Sequence, residues 1–363
     1  MKILMPYISH GGQNIESSVI TGGIEKFNKN IYNMFIDEII PIEITKTDRK
    51  SRNTKNIIDM SIQKHKPDFM LISENDLNFL SYQIDSGIPT ITVVHKPLIS
   101  AIWYLPIFEN LPKFVDAGGH LYFVSDNQYN FFNAGVNRIT GSKLNNFNGL
   151  INSSFCSGDE LVSKDIIYDA ITIGRTEELK DPFFIHRKIQ NTELNSCVIT
   201  TKDDNNTISK NVSYFDINLN KWEEPQFTFR GISYEETMLK LSQAGCYIST
   251  CTCESWGITV LEALSRGVPV IIVADKSGKH SSREIAASED HYRIVNKSIK
   301  PQDLVNIIKE LSGFSYEKRL EISRMTKEKH SKEKYKITLD KIFETRLNDV
   351  SPRQESILES FFQ

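Results

Sequence analysis

The stretch that decides the fold is "TCESWGITVLEALSRGVPVIIV", residues 252–273, which holds two glutamates before a β-branched run. Apolar residues recur at helical spacing between "GI" and "SRG", and a buried strand follows. Glu254 is therefore predicted at the N-terminus of a helix and Glu262 about one turn inside the helix. A ligand at this N-terminus would meet both carboxylates and the free N–H groups of the first turn.

Strand-like and helix-like segments alternate along the whole chain, a rhythm typical of parallel sheets with helices on both faces. The strand-like segments are "KILMPYI", "DFMLIS", "PTITVVH", "HLYFVS", "DAITIG", "SCVITTK", "VSYFDI", "QFTFRG", "CYIST" and "VPVIIVA". An Asn-, Ser- and Gly-rich stretch at 143–165 separates two series. We predict an α/β protein with Rossmann-like domains at 1–150 and 165–345, a cleft between them, and a terminal helix, 351–363, packed back on the first domain.

Composition excludes several classes of protein. The chain has 363 residues, and a net charge of −3 gives no global attraction to nucleic acid or membrane. It has no apolar run near the roughly 20 residues that span a bilayer and no signal-peptide pattern. We expect a cytoplasmic protein (the host cytoplasm if phage-encoded), a monomer or weak dimer. The five cysteines lack zinc-site spacing and are expected as free, buried thiols, so no metal site is predicted.

Glycines and cations follow two predicted strands. Gly22 and Gly23 open the first long helix, as a flexible turn or a phosphate cradle. Arg175 and Lys180, in "IGRTEELKDPF" (173–183), could clamp a diphosphate or lie in a solvated loop. No G-x-G-x-x-G and no G-x-x-x-x-G-K-[ST] occurs, which argues against a classical NAD site and a Walker-type ATPase.

These motifs together resemble one family. Gly22-Gly23, His95, Arg175, Lys180, "FRGISYEE" and "CESWGITVLEALSRGVP" occur in the order found in retaining GT-B glycosyltransferases, which include bacterial glycan-building transferases. The resemblance spans the chain and is strongest over 229–270. It implies two Rossmann-like domains facing each other and metal-independent sugar transfer from a nucleotide-diphosphate sugar, a UDP-sugar by preference, with no cofactor.

The resemblance also implies roles for single residues. Glu254 would contact hydroxyls of the donor sugar, His95 would reach toward that sugar, and Arg175 with Lys180 would bind the diphosphate as the remaining catalytic pair. Glu262 would bind the ribose. The donor-binding positions are Gly22, Gly23, Phe229, Arg230, Gly231, Ser255, Trp256, Gly257, Ile258, Thr259 and Glu262.

The acceptor remains open between two classes. "TGGIEKF", "VSDNQYNFFN" and "IGRTEELKDPF" are similar to the α-glucosyltransferases of T-even phages, which implies 5-hydroxymethylcytosine in duplex DNA as acceptor. A basic stripe for DNA, or an exposed loop, is formed by Lys46, Arg49, Lys50, Arg52 and Lys55. Trp103 lies in an aromatic run that could be an acceptor platform or core. The rival acceptor is a lipid-linked or surface glycan, and a non-catalytic nucleotide-sugar-binding module is the alternative of another class.

Two weaker patterns receive structural interpretations. The charged run at 324–336 is predicted as a solvated helix face. Among the histidines, only His95 ends a strand that faces the expected cleft, and the others, His280 included, are interpreted as structural or solvated.

Overall fold

The computed structural model describes residues 1–9, 15–16, 23–45, 47–48, 53–73, 88–95, 119–140, 147–175, 180–200, 226–252, 254–275 and 280–345. They belong to two compact units. The first is Met1–Ser154 together with the chain from Glu333 onward, and the second is Phe155–Lys332.

The first unit contains a parallel sheet of six strands in the order β2-β1-β3-β4-β5-β6. The strands are β1 (Ile3–Ser9), β2 (Ile39–Thr45), β3 (Phe69–Ile72), β4 (Thr90–Val94), β5 (Gly119–Phe123) and β6 (Phe147–Leu150). Its helices include α1 (Gly23–Met34), α2 (Thr54–His65) and α3 (Asp126–Thr140).

The second unit contains another parallel sheet of six strands, in the order β12-β11-β10-β7-β8-β9. The strands are β7 (Tyr168–Ile173), β8 (Ser196–Thr200), β9 (Phe227–Arg230), β10 (Ala244–Ser249), β11 (Val270–Ala274) and β12 (Tyr292–Asn296). The helices are α4 (Phe184–Ile189), α5 (Tyr234–Ser242), α6 (Ile258–Ser265), α7 (Pro301–Ser312) and α8 (Tyr316–Lys329), with 3₁₀ turns at Ser281–Glu284 and Glu289–His291. A further helix, α9, covers 332–345.

The central strands are buried along their whole length, which explains their largely apolar sequences. Every residue of β10 and β11 is buried, as expected for parallel strands covered by helices on both faces. Between them and α7, the core of the second unit is formed by residues such as Ile248, Ile271 and Leu304. The predicted α/β fold with two Rossmann-like sheets is confirmed.

The C-terminal region differs from the predicted arrangement. Helix α9 lies with the first unit, where the Phe343 ring packs on Phe35 and Phe69 at centroid distances of 5.2 and 5.3 Å. The Tyr335 hydroxyl also donates to the Asn152 carbonyl at 2.9 Å. The second compact unit therefore ends at Lys332, earlier than the expected bound of 345, because Tyr335 and Phe343 of α9 contact residues of the first unit. The predicted helix 351–363 lies outside the described residues.

The prediction that the run 324–336 forms one solvated helix face is wrong. Helix α8 ends at Lys329, and Thr326, His330 and Tyr335 are buried. The alternating charges in the sequence obscured these buried positions. Of the helices that the structure describes, none has the length and apolarity that crossing a bilayer requires.

The strand order of the second unit reverses at β7, with β8 on one side and β10 on the other. In open parallel sheets, ligands bind outside the carboxyl ends of the strands at such a switch point. The segments that follow β7 and β10 are therefore the first place to look for a site.

Candidate functional site

Lys180 and Glu254 meet at this switch point. Lys180 follows β7 and Glu254 follows β10, and the lysine ammonium donates a hydrogen bond to the Glu254 carboxylate within an ion pair. The side chains are 28% and 21% exposed, so both remain open to a ligand. The Thr250 hydroxyl, at the end of β10, donates to the main-chain carbonyl of Lys180. Two residues that the sequence analysis singled out separately are thus brought together.

The charge of Lys180 is maintained by its neighbour. Burial lowers the pKa of this lysine, but the Glu254 carboxylate, by its charge and its hydrogen bond, outweighs that effect and leaves the pKa raised. Arg175, two residues past the end of β7, acts in the opposite direction on that pKa. Two cations that follow the same strand are suited to a phosphate or diphosphate.

The chain after Lys180 is held by a buried ion pair that the sequence analysis missed. Asp181 is 3% exposed, has a φ of 31° and pairs with the Arg187 guanidinium of α4 at 2.6 Å. A positive φ is unfavourable for residues other than glycine, although aspartate tolerates it better than most. The Thr172 hydroxyl donates to the Pro182 carbonyl at 2.6 Å. The backbone that follows Lys180 is therefore held by contacts with both α4 and β7.

Gly257 permits the close approach of the glutamate loop, residues 254–257, to the 3₁₀ turn at Ser281–Glu284. It precedes α6 with a φ of 88°, and an added Cβ would overlap the Ser282 hydroxyl and lie 3.2 Å from the Ser282 Cβ. Both the positive φ and the lack of space for a Cβ therefore require glycine at this position. Ser255 and Trp256 are buried, and the Trp256 ring stands edge-on to His330 at 5.7 Å. Ile258 and Thr259 begin α6, as predicted.

His280 ties that turn to the residues just before Glu254. Its Nε2 lies 2.6 Å from the Cys251 carbonyl, and its Nδ1 accepts the Ser282 N–H at 3.2 Å. These partners require a neutral ring protonated at Nε2. Burial lowers the pKa of His280, although the Cys251 contact and the Glu254 charge oppose this shift. From the sequence, His280 is interpreted as structural or solvated, because its contact with a residue 29 positions away has no local signal.

Glu262 lies about one turn inside α6 and is bound by a residue that was not selected from the sequence. The carboxylate is 9% exposed and accepts a hydrogen bond from the Tyr234 hydroxyl at 2.8 Å. Burial raises the pKa of Tyr247 in β10, the charges of Glu254 and Glu262 raise it further, and a hydrogen bond with Thr259 lowers it. Of the two acids, Glu254 thus precedes α6 and Glu262 lies within it.

The predicted positions 229–231 are the last two residues of β9 and the residue that follows it. Gly231 has a φ of 61°, and its N–H donates to the Thr200 carbonyl at 2.9 Å. Arg230 ends the strand. One face of the Phe229 ring is covered by the Lys240 ammonium at 3.8 Å from the centroid. Any stacking partner for Phe229 must therefore use the other face or displace Lys240.

In the first unit, His95 follows β4 and is buried. Its Nδ1 lies 3.4 Å from the Ser153 hydroxyl, and its ring stands edge-on to Phe27 at 4.5 Å. Burial lowers the pKa of His95 to about 3, so the ring is neutral. Its Nε2 has no hydrogen-bond partner among the described residues. Gly23 begins α1.

The other predicted positions, Gly22, Lys46, Arg49, Lys50, Arg52 and Trp103, lie outside the described residues. Within the described ranges, no group of three or more His, Cys, Asp or Glu side chains is arranged to hold a metal ion.

The segment that contains Glu254 and Glu262 matches a known family. Residues 189–329, which contain α5, α6 and the glutamate loop, match the family "Glycosyl transferases group 1". No curated protein matches the chain at the level of sequence.

Solved structures share the fold of nearly the whole chain. HepE from Anabaena, in complex with UDP, is 12% identical with a TM-score of 0.66, and the match covers 95% of this chain and 100% of that one. Sucrose-phosphate synthase from Thermosynechococcus elongatus is 10% identical, with a TM-score of 0.68 and coverages of 95% and 99%. A glycosyltransferase from Rickettsia africae is 13% identical, with a TM-score of 0.65 and coverages of 95% and 98%. These likenesses confirm the predicted GT-B fold.

Proposed function

We propose that the protein is a retaining glycosyltransferase that moves a sugar from a UDP-sugar to an acceptor hydroxyl. The observation that carries the proposal is the Lys180–Glu254 ion pair at the switch point of the second sheet, with Arg175 two residues past the end of β7. It combines cations for a diphosphate with an acid for sugar hydroxyls. The match of residues 189–329 to group 1 glycosyl transferases supports the proposal, as does a fold shared with Anabaena HepE, which has been solved in complex with UDP-glucose.

The cations act on the leaving group. As the bond between the sugar C1 and the diphosphate oxygen breaks, negative charge grows on the diphosphate, and fixed positive groups stabilise it. An ammonium has three N–H donors, so Lys180 can keep its bond to Glu254 and still donate to phosphate. The acceptor oxygen bonds to C1, and its proton passes to the departing phosphate oxygen, so the reaction needs no separate base.

The two glutamates act as ligand-binding groups. They belong to one loop-helix segment, on either side of Gly257 and the start of α6. In glycoside hydrolases, two carboxylates flank the scissile bond from opposite sides, which a single segment does not provide. We assign Glu254 to the hydroxyls of the donor sugar and Glu262 to the ribose.

For the acceptor, we propose 5-hydroxymethylcytosine in duplex DNA, with a lipid-linked or surface glycan as the rival. The DNA proposal rests on the sequence alone, on the basic run from Lys46 to Lys55 and the phage-like segments. A protein acting on a base within a duplex must neutralise phosphates and extrude that base. The basic run could supply the first of these requirements.

The test is release of UDP from a panel of UDP-sugars that includes UDP-glucose. Each donor is assayed alone, with unmodified duplex, with hydroxymethylcytosine duplex, and with a lipid-linked glycan. Glu254→Ala is the variant, and Glu235→Ala, an exposed acid on α5, is the matched control. We expect acceptor-dependent release that disappears only in Glu254→Ala.

The outcomes separate the alternatives. Release stimulated only by the modified duplex would identify the DNA acceptor, and release stimulated only by the glycan would replace it with the rival. UDP binding without turnover of any donor would contradict transfer and support the nucleotide-sugar-binding module.

A further inference from the structure

The hydroxyl of Tyr234 is bonded to an acid on a different helix. Tyr234 is the first residue of α5, directly after the cap Ser233, whose side chain accepts the Glu236 N–H at 3.1 Å. The residue is 52% exposed, yet its hydroxyl donates to the buried Glu262 carboxylate of α6 at 2.8 Å. We propose that Tyr234 is a positioning residue that sets the preference of this site for a ribonucleotide over a 2′-deoxyribonucleotide. The inference rests on the proposed function, because it assigns Glu262 to the ribose.

The chemistry of the two glutamates differs in one respect. Glu254 accepts from an ammonium, whereas Glu262 accepts from a neutral phenol. A phenol that donates to one carboxylate oxygen fixes the orientation of the carboxylate. A carboxylate has about four lone-pair sites, so a bond from Tyr234 is compatible with hydroxyl donors from a ligand. The vicinal 2′- and 3′-hydroxyls of a ribose are a pair of donors with the matching spacing.

The orientation of the carboxylate decides how tightly it binds such a pair of hydroxyls. A carboxylate that accepts two hydroxyls at once must hold both oxygens in the plane of the diol, and free rotation of the side chain would reduce the fraction of time in that geometry. Tyr234 restricts this rotation by binding one oxygen from α5. Its effect should therefore appear mainly with a ligand that has both hydroxyls and weakly with a ligand that has one.

A purely structural role for the bond makes a different prediction. If the bond only joins α5 to α6, its loss lowers the melting temperature and weakens all nucleotides to the same degree. The ratio of two dissociation constants, for UDP and 2′-deoxy-UDP, separates the two roles because a general loss of stability cancels in the ratio.

The chain offers a closely matched control. Tyr316 is likewise the first residue of a helix, α8, and follows a serine cap, Ser315, that accepts the Lys318 N–H at 3.3 Å. Its ring lies below the Lys164 ammonium at 5.3 Å. Tyr316→Phe removes the same hydroxyl from the same helix position without touching Glu262.

The experiment uses calorimetry to measure the dissociation constants of UDP and 2′-deoxy-UDP. The proteins are the full-length wild type, the single variants Tyr234→Phe, Tyr316→Phe and Glu262→Gln, and the double variant Tyr234→Phe/Glu262→Gln. Wild type and Tyr316→Phe should prefer UDP by about tenfold, and Tyr234→Phe should reduce that preference by about three- to fivefold, since hydrogen bonds to charged groups are the stronger ones. In the Glu262→Gln background, Tyr234→Phe should change nothing further.

An unchanged preference in Tyr234→Phe, or an equal loss for both nucleotides, would overturn the inference while leaving the proposed function intact. Absence of UDP binding by the wild type would overturn the proposed function itself, and that result appears in a separate arm of the same experiment.

Discussion

Lys180 and Glu254 are 74 residues apart in sequence and form an ion pair at the carboxyl edge of two neighbouring strands. Partly exposed ion pairs contribute little to stability, about 0–1 kcal/mol. The consequence of the pair is therefore local: it holds an ammonium and a carboxylate in a fixed relation at the switch point. The residues around it, Asp181, Gly257 and His280, each restrain one of the two segments that carry the pair, and each restraint can be tested.

Replacing Gly257 by alanine should destabilise the second unit. The left-handed backbone alone costs a non-glycine residue roughly 1–2 kcal/mol, and the overlap with Ser282 should add about 1–3 kcal/mol. The matched control is Gly158→Ala, because Gly158 has a φ of 96° but no atom within 4 Å of an added Cβ. The free energy of unfolding in urea should fall further for Gly257→Ala. Equal losses in the two variants would refute the close-approach argument.

Replacing His280 should impair catalysis according to the hydrogen bonds that the new side chain can make. His280→Leu loses both the donor to Cys251 and the acceptor for Ser282, so turnover of the donor sugar should fall by about tenfold or more. His280→Asn retains a donor and a capping acceptor and should recover part of that loss. The measurement is kcat and KM for the UDP-sugar. If the two variants behave alike, His280 does not position the glutamate loop.

The buried pair of Asp181 and Arg187 should be strongly coupled. Asp181→Gly relieves a positive φ that costs a non-glycine residue about 1 kcal/mol, but it removes the carboxylate partner of a largely buried guanidinium, at a cost of about 3–5 kcal/mol. Asp181→Asn retains a hydrogen-bond acceptor and tolerates this backbone, so its loss should be smaller. The double variant with Arg187→Met should show a coupling above about 1 kcal/mol in urea unfolding. Additive losses would mean that the pair does not act as a unit.

His95 should make stability depend on pH in the acid range. The pKa of His95 is lowered from 6.5 to about 3 by burial, so below about pH 6.5 the unfolded chain binds a proton that the folded chain does not. The stability conferred by the neutral ring is complete above pH 6.5 and is lost as the pH falls. From pH 7 to about pH 5 the contribution of this group is on the order of 2 kcal/mol. His95→Asn should lose less stability over that interval in urea titrations, and parallel losses would contradict the assignment.

Nine of the twelve strands that the structure describes, all except β2, β6 and β12, and the start of α6 could be predicted from the sequence because their signals are local. The segment 270–274 is continuously apolar and β11 is buried throughout, and the helical spacing after Gly257 predicted a helix that is observed at Ile258–Ser265. Lys180 and Glu254 could be selected as residue types that follow strands. Their pairing could not be derived from spacing, because it depends on β7 and β10 being neighbours in the sheet.

The contacts that the sequence analysis missed are non-local or concern the backbone. Tyr234 meets Glu262 across two helices, and His280 meets Cys251 across 29 residues; neither has a periodic signal. The positive φ of Asp181 occurs at a residue whose type does not require it. The side of α9 that carries Phe343 was hidden by the charged residues that surround it in the sequence.

The most direct test of the central claim compares Lys180→Met with Lys309→Met. Lys309 forms an ion pair with Glu193 at 2.8 Å, but these side chains are 52% and 81% exposed and far along the chain from the switch point. The measurement is kcat for the release of UDP from the donor identified in the panel. Lys180→Met should lower kcat by about 10²–10³, as expected when one group that stabilises transition-state charge is removed, and Lys309→Met should leave it unchanged. An unchanged kcat in Lys180→Met, with a folded protein, would contradict the account of the site.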